Sequence, residues 1–228
     1  MRVAVTFCFV VLFAASASPQ VQRGLIRGTV LTPNGDPVED AHVYTEVMQG
    51  STVVTVLETN TDDSGTFVFS RLALGKYRVS AAKPEGGYLS APAGIFNPGP
   101  PLTLILTADA PTADTTIHFA PKAGVITGWV LDSSSGSAIS AHLSLSDASA
   151  WSTTGTNEKF KFRLLIPADT PIRFGACAEG YKPWFYADSS SPAHPTPVQL
   201  APGAELDIDI KLEPNADKIK TPCFSGNY

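Results

Sequence analysis

Apolar and polar residues alternate along most of this chain in short runs, which is the periodicity of a β-strand. In the run at residues 25–31, Ile26 and Val30 fall on one face, and Arg27 and Thr29 fall on the other. Clusters of Pro, Gly, Asn and Asp separate such runs, and these residues favour turns. The pattern therefore predicts short strands joined by turns, with little helix.

The strand pattern occurs twice. Residues 24–44 align with residues 124–144 at an offset of one hundred, without a gap. Further on, the Phe-x-Phe pair at residues 67–69 aligns with residues 160–162 at an offset of 93, which predicts that the second copy has lost about seven residues from its middle hairpin. A repeat of this length indicates two similar folded units in tandem.

The sequence predicts an all-β fold of two tandem, seven-stranded antiparallel β-sandwiches. We place the first at residues 20–121 and the second at residues 122–214, followed by a C-terminal tail at residues 215–228. The connector between them is so short that the sandwiches should abut. Gly28 and Gly128 recur inside the first strand of each copy, where a glycine usually lets another backbone or a large side chain approach closely.

Residues 1–17 have the features of an export signal. A positive start at Arg2 precedes an apolar run at residues 3–15, and small residues lead up to Ala17. The run is too short to cross a bilayer comfortably, and no later segment is apolar enough to do so. We therefore expect a cleaved signal peptide, no membrane span, and a secreted or periplasmic protein.

Charge narrows the range of partners. The formal net charge is −5, and it becomes −6 when Arg2 leaves with the signal peptide. A chain of this sign without a basic cluster is a poor partner for nucleic acid or anionic lipid. We expect the partner to be protein or carbohydrate, at the cell surface or outside the cell.

Two cysteines remain after removal of the predicted signal peptide, which contains Cys8. In exported proteins such a pair is more often oxidised than free. We therefore expect a disulfide between Cys177, on the outward face of its strand, and Cys223, in the tail. This bond would hold the tail across the outer sheet of the second sandwich.

Aromatic side chains gather in the long loop after the fifth strand of each copy, at residues 83–101 and 179–197. Loops on a rigid sandwich often bind ligands, and flat rings with polar rims suit sugars or peptides. Alternatively, the rings close the end of each sandwich or join the two units. The candidate ligand-binding residues are Tyr88, Phe96, Tyr181, Trp184, Phe185 and Tyr186.

No set of residues has the spacing of a catalytic or metal site. His42 and His142 occupy equivalent strand positions, and we expect both to be exposed. The acidic turn at residues 62–65 has too few oxygen ligands for calcium, and its Asp and Gly residues are those that turn geometry favours. We therefore predict no catalytic residue, no metal and no cofactor.

The first copy also carries an ordered set of motifs: Gly-Thr-Val at residues 28–30, Gly-Asp-Pro-Val at 35–38, Ala-His-Val at 41–43, the turn and strand at 61–69, and Gly-Lys-Tyr-Arg-Val at 75–79. In order and spacing, this set resembles the carboxypeptidase regulatory-like domain, a transthyretin-like (prealbumin-like) β-sandwich. The second copy is more diverged and lacks the Asp-x-x-Gly turn.

The resemblance implies seven strands in two sheets, a non-catalytic accessory or surface module, and kinship with carbohydrate-binding-like folds. Two enzyme families share this sandwich, but the chain lacks the Tyr-Arg-Gly-Ser terminus of one and the His-x-His iron ligands of the other. We therefore expect an exported non-catalytic protein that acts as a structural or protein-interaction module. The alternative is a carbohydrate-binding protein that uses the aromatic loops.

Overall fold

A computed structural model of the chain describes residues 23–92, 100–147, 151–156, 161–188 and 194–215. The predicted signal peptide lies outside the described residues. As predicted, the protein is all-β and consists of two tandem sandwiches. In the described parts of the chain, the helical content is one 3₁₀ turn, Pro84–Gly86, and no helix is long and apolar enough to cross a membrane.

The first sandwich has eight strands in two sheets. One sheet has the order β4-β1-β8, and the other has the order β3-β2-β5-β6 with β7 also paired to β5. The eighth strand, β6, lies within the segment that the sequence predicts as a long loop. The strands are β1 Gly24–Leu31, β2 His42–Gln49, β3 Thr52–Asn60, β4 Thr66–Leu72, β5 Gly75–Lys83, β6 Tyr88–Ala91, β7 Leu102–Leu106 and β8 Thr112–His118.

The second sandwich repeats this arrangement, except that the counterpart of β7 is reduced to a single bridge between Ile172 and Val198. Its sheets have the orders β11-β10-β13-β14 and β12-β9-β15, and β16 continues along β9 after β15. β15 and β16 together therefore form the closing edge that β8 forms in the first sandwich. The strands are β9 Gly124–Asp132, β10 His142–Ser146, β11 Trp151–Gly155, β12 Lys161–Ile166, β13 Arg173–Cys177, β14 Trp184–Phe185, β15 Glu205–Asp207 and β16 Ile210–Leu212.

Each sandwich has its own hydrophobic core between its two sheets, and the two cores share no residue. The alternating positions of the strands supply these side chains, and burying each large one contributes about 1.5–3 kcal/mol. The first core includes Ile26, Val43, Phe67, Val79 and Ile117. The second includes Ile126, Leu143, Phe162, Phe174 and Ile210.

The sequence predicts sandwiches that are antiparallel throughout. In the structure, the closing strand of each sandwich is parallel to its first strand. β8 pairs with β1 in parallel, and β15 and β16 pair with β9 in parallel, whereas the other strand pairs are antiparallel. A parallel pair cannot be joined by a tight turn. The chain therefore passes through the opposite sheet before it returns beside the first strand. Alternation of side chains does not encode this direction.

The recurrent glycine does allow a close approach, as predicted. A Cβ on Gly28 would clash with the carbonyl oxygen of Thr115 in β8 and would lie 2.7 Å from the ring of Phe67. A Cβ on Gly128 would clash with the carbonyl oxygen of Ile208 and would lie 3.1 Å from the ring of Phe162. In both copies, the closing strand and a cross-strand phenylalanine occupy the space that a side chain would need.

The pairing of glycine with phenylalanine corrects the repeat offset. Gly28 lies opposite Phe67, and Gly128 lies opposite Phe162, so the equivalent residues are 95 apart and not 93. The prediction aligned the two Phe-x-Phe motifs by sequence, so that Phe67 fell on Phe160. In the structure, the equivalent phenylalanines are those that lie opposite the glycine, Phe67 and Phe162. Phe160 lies outside the described residues. The second copy has therefore lost five residues from its hairpin, not seven.

A buried threonine supports the corrected offset. The hydroxyl of Thr61 donates to Val38 O at 2.6 Å and accepts the N–H of Ala41 at 2.7 Å. Thr156, 95 residues later, occupies the same place, where its hydroxyl accepts the N–H of Ala141 at 3.4 Å. In both copies this residue ties the turn before the second strand to the end of the third strand.

Replacing Gly128 with Ala is expected to lower the free energy of unfolding of the second sandwich by at least about 2 kcal/mol, because the added methyl group overpacks against the backbone of the closing strand. Chemical denaturation followed by circular dichroism measures the change. Gly155→Ala is the matched control, because the nearest atom to its Cβ, Ala141 O, is 4.0 Å away. Equal effects of the two substitutions would contradict the role assigned to Gly128.

Candidate functional site: the aromatic loops and the chain exits

A Gly-Tyr dipeptide with the same backbone conformation at the glycine follows the fifth strand in both sandwiches. Gly87 and Gly180 have φ angles of 82° and 84°, in the left-handed region that favours glycine, and each is followed by a tyrosine. The tyrosines are the candidate residues Tyr88 and Tyr181. Their partners differ between the two copies.

Tyr88 lies at the junction between the first sandwich and the connector. Its ring stacks on Phe119 with a centroid separation of 4.8 Å and an interplanar angle of 12°. On the connector, Lys122 Nζ lies 5.9 Å from the centre of the Tyr88 ring, within reach of a cation–π interaction. These contacts favour the interpretation in which the ring packs the end of the sandwich.

Tyr181 donates a hydrogen bond from its hydroxyl to Asp132 Oδ2 at 2.8 Å. Asp132 Oδ1 accepts the hydroxyl of Ser134 at 2.5 Å and the backbone N–H of Ser135 at 2.8 Å. Donors on both oxygens, led by the Ser134 hydroxyl, hold the pKa of the Asp132 carboxyl well below its usual range. The bond to this carboxylate, and then burial, raise the pKa of Tyr181 above the usual 10.0.

The other three described candidates lie on or beside β14, a two-residue edge strand paired with β13. Trp184 packs edge-on against the core residue Phe174, with ring centroids 5.6 Å apart. The ring of Phe185 lies over Gly175, and a Cβ there would be 3.0 Å from the ring, so the ring would have to move slightly to admit a side chain. Tyr186 donates its backbone N–H to Phe174 O at 2.9 Å and packs against the second core. All three side chains are half-buried.

The structure therefore brings four of the six candidates onto the second sandwich and places Tyr88 on the first. Phe96 lies outside the described residues. Within the described parts of the chain, no ring contact joins Tyr88 to the other four. The five described candidates do not form one site.

The sequence does not reveal that these loops bind the segments through which the chain leaves each sandwich. We call these segments the chain exits. The N–H of Ala123 donates to Gly87 O at 2.8 Å where the chain leaves the first sandwich, and the N–H of Asn215 donates to Gly180 O at 2.8 Å where it leaves the second. Each loop thus holds the segment that follows the closing strand. The repeated Gly-Tyr step was the available signal, but it does not reveal its partner.

The junction between the two sandwiches uses the same loop. The N–H of Gly203, from the second sandwich, donates to Lys122 O on the connector at 3.1 Å. Arg163 Nη1 reaches Pro84 O, in the 3₁₀ turn beside Gly87, at 3.5 Å. The sandwiches abut, as the short connector predicts, and hydrogen bonds to backbone carbonyl oxygens join them.

The polar residues considered for catalysis or metal binding are used in turns or lie exposed. His42 is exposed, as predicted, with Nε2 3.4 Å from Glu58 Oε2, and His142 is also exposed. Asp62 Oδ1 accepts the N–H groups of Ser64 and Thr66 at 3.0 and 2.8 Å. Within the described residues, no three His, Cys, Asp or Glu side chains gather where a metal ion could bind.

Cys177 lies at the end of β13, opposite His142 in β10. By alternation it is on the outer face of the sheet, yet its side chain is only 3% exposed. Cys223 lies outside the described residues, so the predicted disulfide remains a prediction.

Residues 25–107, from β1 through β7, match the carboxypeptidase regulatory-like domain. The match covers the first sandwich apart from its closing strand, and it does not extend to the second sandwich. The second sandwich repeats the sheet order, the glycine–phenylalanine pair and the chain exit of the first. No curated protein matches the sequence.

Several solved structures have a distant similarity to the whole chain. A streptococcal ancillary pilin has a TM-score of 0.38 and 13% identity over 87% of this chain, and a minor pilin of Streptococcus agalactiae has a TM-score of 0.36 and 12% identity over 90%. The Bacillus anthracis TIE protein has a TM-score of 0.34 and 14% identity over 83%. The chain covers 64%, 100% and 34% of these proteins, respectively. Such similarities are too weak to transfer a function.

The Tyr181–Asp132 hydrogen bond should delay the ionisation of Tyr181. Because the folded pKa is raised, the associated stability is fully present below pH 10 and is lost as the pH rises through the folded value. The difference in near-ultraviolet absorbance between the wild-type protein and Tyr181→Phe, followed against pH, should show a midpoint above 10.0. The Asp132→Asn substitution should move this midpoint back toward the usual value. Equal midpoints with Asp132 and with Asn at that position would exclude the proposed cause.

Proposed function

We propose that this protein is an exported, non-catalytic protein in which two tandem carboxypeptidase regulatory-like sandwiches form a rigid structural or protein-interaction module. The proposal rests on the junction between the two sandwiches. Backbone groups of Gly87, Lys122, Ala123 and Gly203 hold the second sandwich against the first. Such a junction suits a part that must keep its ends at a defined separation.

The chemistry of the described surface supports a non-catalytic role. A catalytic site needs a nucleophile, a base and an orienting group within hydrogen-bond reach of one another. The strongest polar cluster, Asp132 with Ser134, Ser135 and Tyr181, satisfies the donors of one turn and packs beside the second core. Its carboxylate has a lowered pKa and accepts from all of these donors, so it is poorly suited to act as a general base.

Export is the second part of the proposal. The features of residues 1–17 and the two remaining cysteines support it. The exported protein is either secreted or periplasmic.

A specific observation favours carbohydrate binding as a second candidate function. Trp184, Phe185 and Tyr186 are consecutive aromatic residues on or beside the edge strand β14, and all three are half-buried. Partly exposed rings on a rigid edge can stack on sugars. Against this, Trp184 packs edge-on against Phe174, and this contact limits the exposed ring face.

A glycan array separates the two functions. We expect no binding at high protein concentration, and we expect Trp184→Ala mainly to lower the stability of the second sandwich, by about 1–3 kcal/mol for lost apolar burial. Trp129→Ala is the control, because Trp129 is half-buried on β9 and away from the β14 edge. Glycan binding that Trp184→Ala abolishes and Trp129→Ala preserves would replace the proposed function with carbohydrate recognition.

Mass spectrometry of the exported protein tests the leader and the disulfide together. The intact mass should correspond to a chain starting at Ser18, and alkylation should add mass only after reduction. Cys223→Ser should lower the free energy of unfolding by about 2–4 kcal/mol, because the denatured chain loses a cross-link. Two cysteines that react with the alkylating reagent in the native, unreduced protein would exclude the disulfide.

A further inference from the structure

The outer face of the second sandwich has a cysteine that is buried on the side away from the core. Strand alternation directs Cys177 away from the second core, yet its side chain is 3% exposed. In the first sandwich, Ala82 occupies the same position, opposite His42, and is half-buried. The outer face of the second sandwich is therefore covered at Cys177 to a greater extent than the sheet alone explains.

The neighbouring positions on this face do not provide the cover. His142 lies directly opposite Cys177 and is exposed, and the next position in the same row is Gly155. Two residues back along β13 is Gly175, over which the ring of Phe185 lies. Because neither glycine has a side chain, this face has room for another segment of the chain over Cys177.

The C-terminal tail, residues 215–228, is long enough to be that segment. Its start is held at Gly180, because the N–H of Asn215 donates to Gly180 O at 2.8 Å. Gly180 is three residues from Cys177, which is at most about 11 Å of chain. The eight residues from Asn215 to Cys223 can span roughly 27 Å. The tail can therefore reach Cys177 with chain to spare.

The charge of the tail is complementary to that of the second sandwich. The sandwich, residues 122–214, has ten acidic and seven basic residues, whereas the tail has one acidic residue and two lysines, Lys218 and Lys220. Glu179 is exposed and lies two residues after Cys177, so it places an acidic group close to the covered position. Complementary charges of this kind favour the docking of one segment on another.

The apolar residues of the tail correspond to those of the face. Cys223 and Phe224 are adjacent in the tail, and Cys177 and Phe185 lie on the same outer face, on paired strands. We propose that the tail covers this face, with Cys223 against Cys177 and the ring of Phe224 against the ring of Phe185. A pair of aromatic rings in contact stabilises such an arrangement beyond the apolar area that it buries.

This inference goes beyond the predicted disulfide, because the contact of the rings holds the tail with or without the covalent bond. A tethered segment has an effective concentration in about the millimolar range, so a weak contact keeps it bound. The tail then covers Phe185, one of the candidate ligand-binding residues, whereas Trp184 packs on the core side against Phe174. Glycan binding through Trp184 would therefore replace the proposed function without affecting the position of the tail.

The reactivity of one thiol tests the contact. In a chain that starts at Ser18, Cys223→Ser leaves Cys177 as the one cysteine. We expect Cys177 to react slowly with a maleimide, and we expect the further substitution Phe224→Ala to accelerate the reaction at least about tenfold, because the tail loses the ring that holds it. The rate is measured by mass spectrometry.

Tyr228→Ala is the matched control, because it removes an aromatic ring from the same tail, four residues beyond Phe224. It should leave the reaction of Cys177 slow. Equal rates for the Phe224→Ala and Tyr228→Ala variants would overturn the proposal, and so would rapid reaction of Cys177 in the Cys223→Ser variant itself. Circular dichroism checks that each variant keeps the all-β fold.

Moving the tail cysteine tests the register without removing the ring. After reduction and mild reoxidation, the wild-type protein should form the bond between Cys177 and Cys223 almost completely. In the Cys223→Ser background, Asn227→Cys should form much less of a bond to Cys177, because Phe224 holds residue 227 away from it and a disulfide needs Cβ atoms about 3.5–4.5 Å apart. Equal yields would mean that the tail has no fixed position on this face, and they would overturn the proposal.

Discussion

The close approach of the closing strand to a glycine in the first strand is the constraint on which each sandwich depends. The backbones of Thr115 and Ile208 occupy the space that a side chain on Gly28 or Gly128 would need, and a phenylalanine ring covers the same place from the opposite strand. Because the closing strand is parallel to the first, it reaches this position only after the chain has formed the other sheet. The packing at these glycines thus joins the beginning and the end of each unit.

The same closing strand determines how one unit leads to the next. After β8, the N–H of Phe119 donates to Leu31 O, and the N–H of Ala123 then donates to Gly87 O. β9 starts at Gly124, directly after Ala123. Pairing of the closing strand in the first sandwich therefore also positions the second sandwich. The aromatic loops have a structural role here, because they bind the chain exits.

Much of the fold could be predicted because side-chain alternation and turn residues are local signals. They identify the strands, the two copies and the glycine that lies against another backbone. Strand direction and exact register depend on long-range packing instead. This is why the parallel closing strand was not predicted, and why Phe67 was matched two residues away from its true equivalent, Phe162. The aromatic residues were found by composition, but composition does not distinguish a ring that packs on Phe174 from one that faces a ligand.

Comparison of the two copies shows where this fold tolerates change. The second copy has lost five residues, and the loss falls in the hairpin between β10 and β11, whose counterpart in the first copy is the exposed end of β2 and β3. Most residues of β3 are exposed, so shortening this hairpin removes little buried surface and leaves the glycine, the phenylalanine and the buried threonine in place. The deletion removes the tip of this hairpin, next to the exposed valines, and Trp151 occupies the position of Val56. The core and the chain exits are common to both copies because folding requires them, whereas the long hairpin of the first copy contributes little to its core.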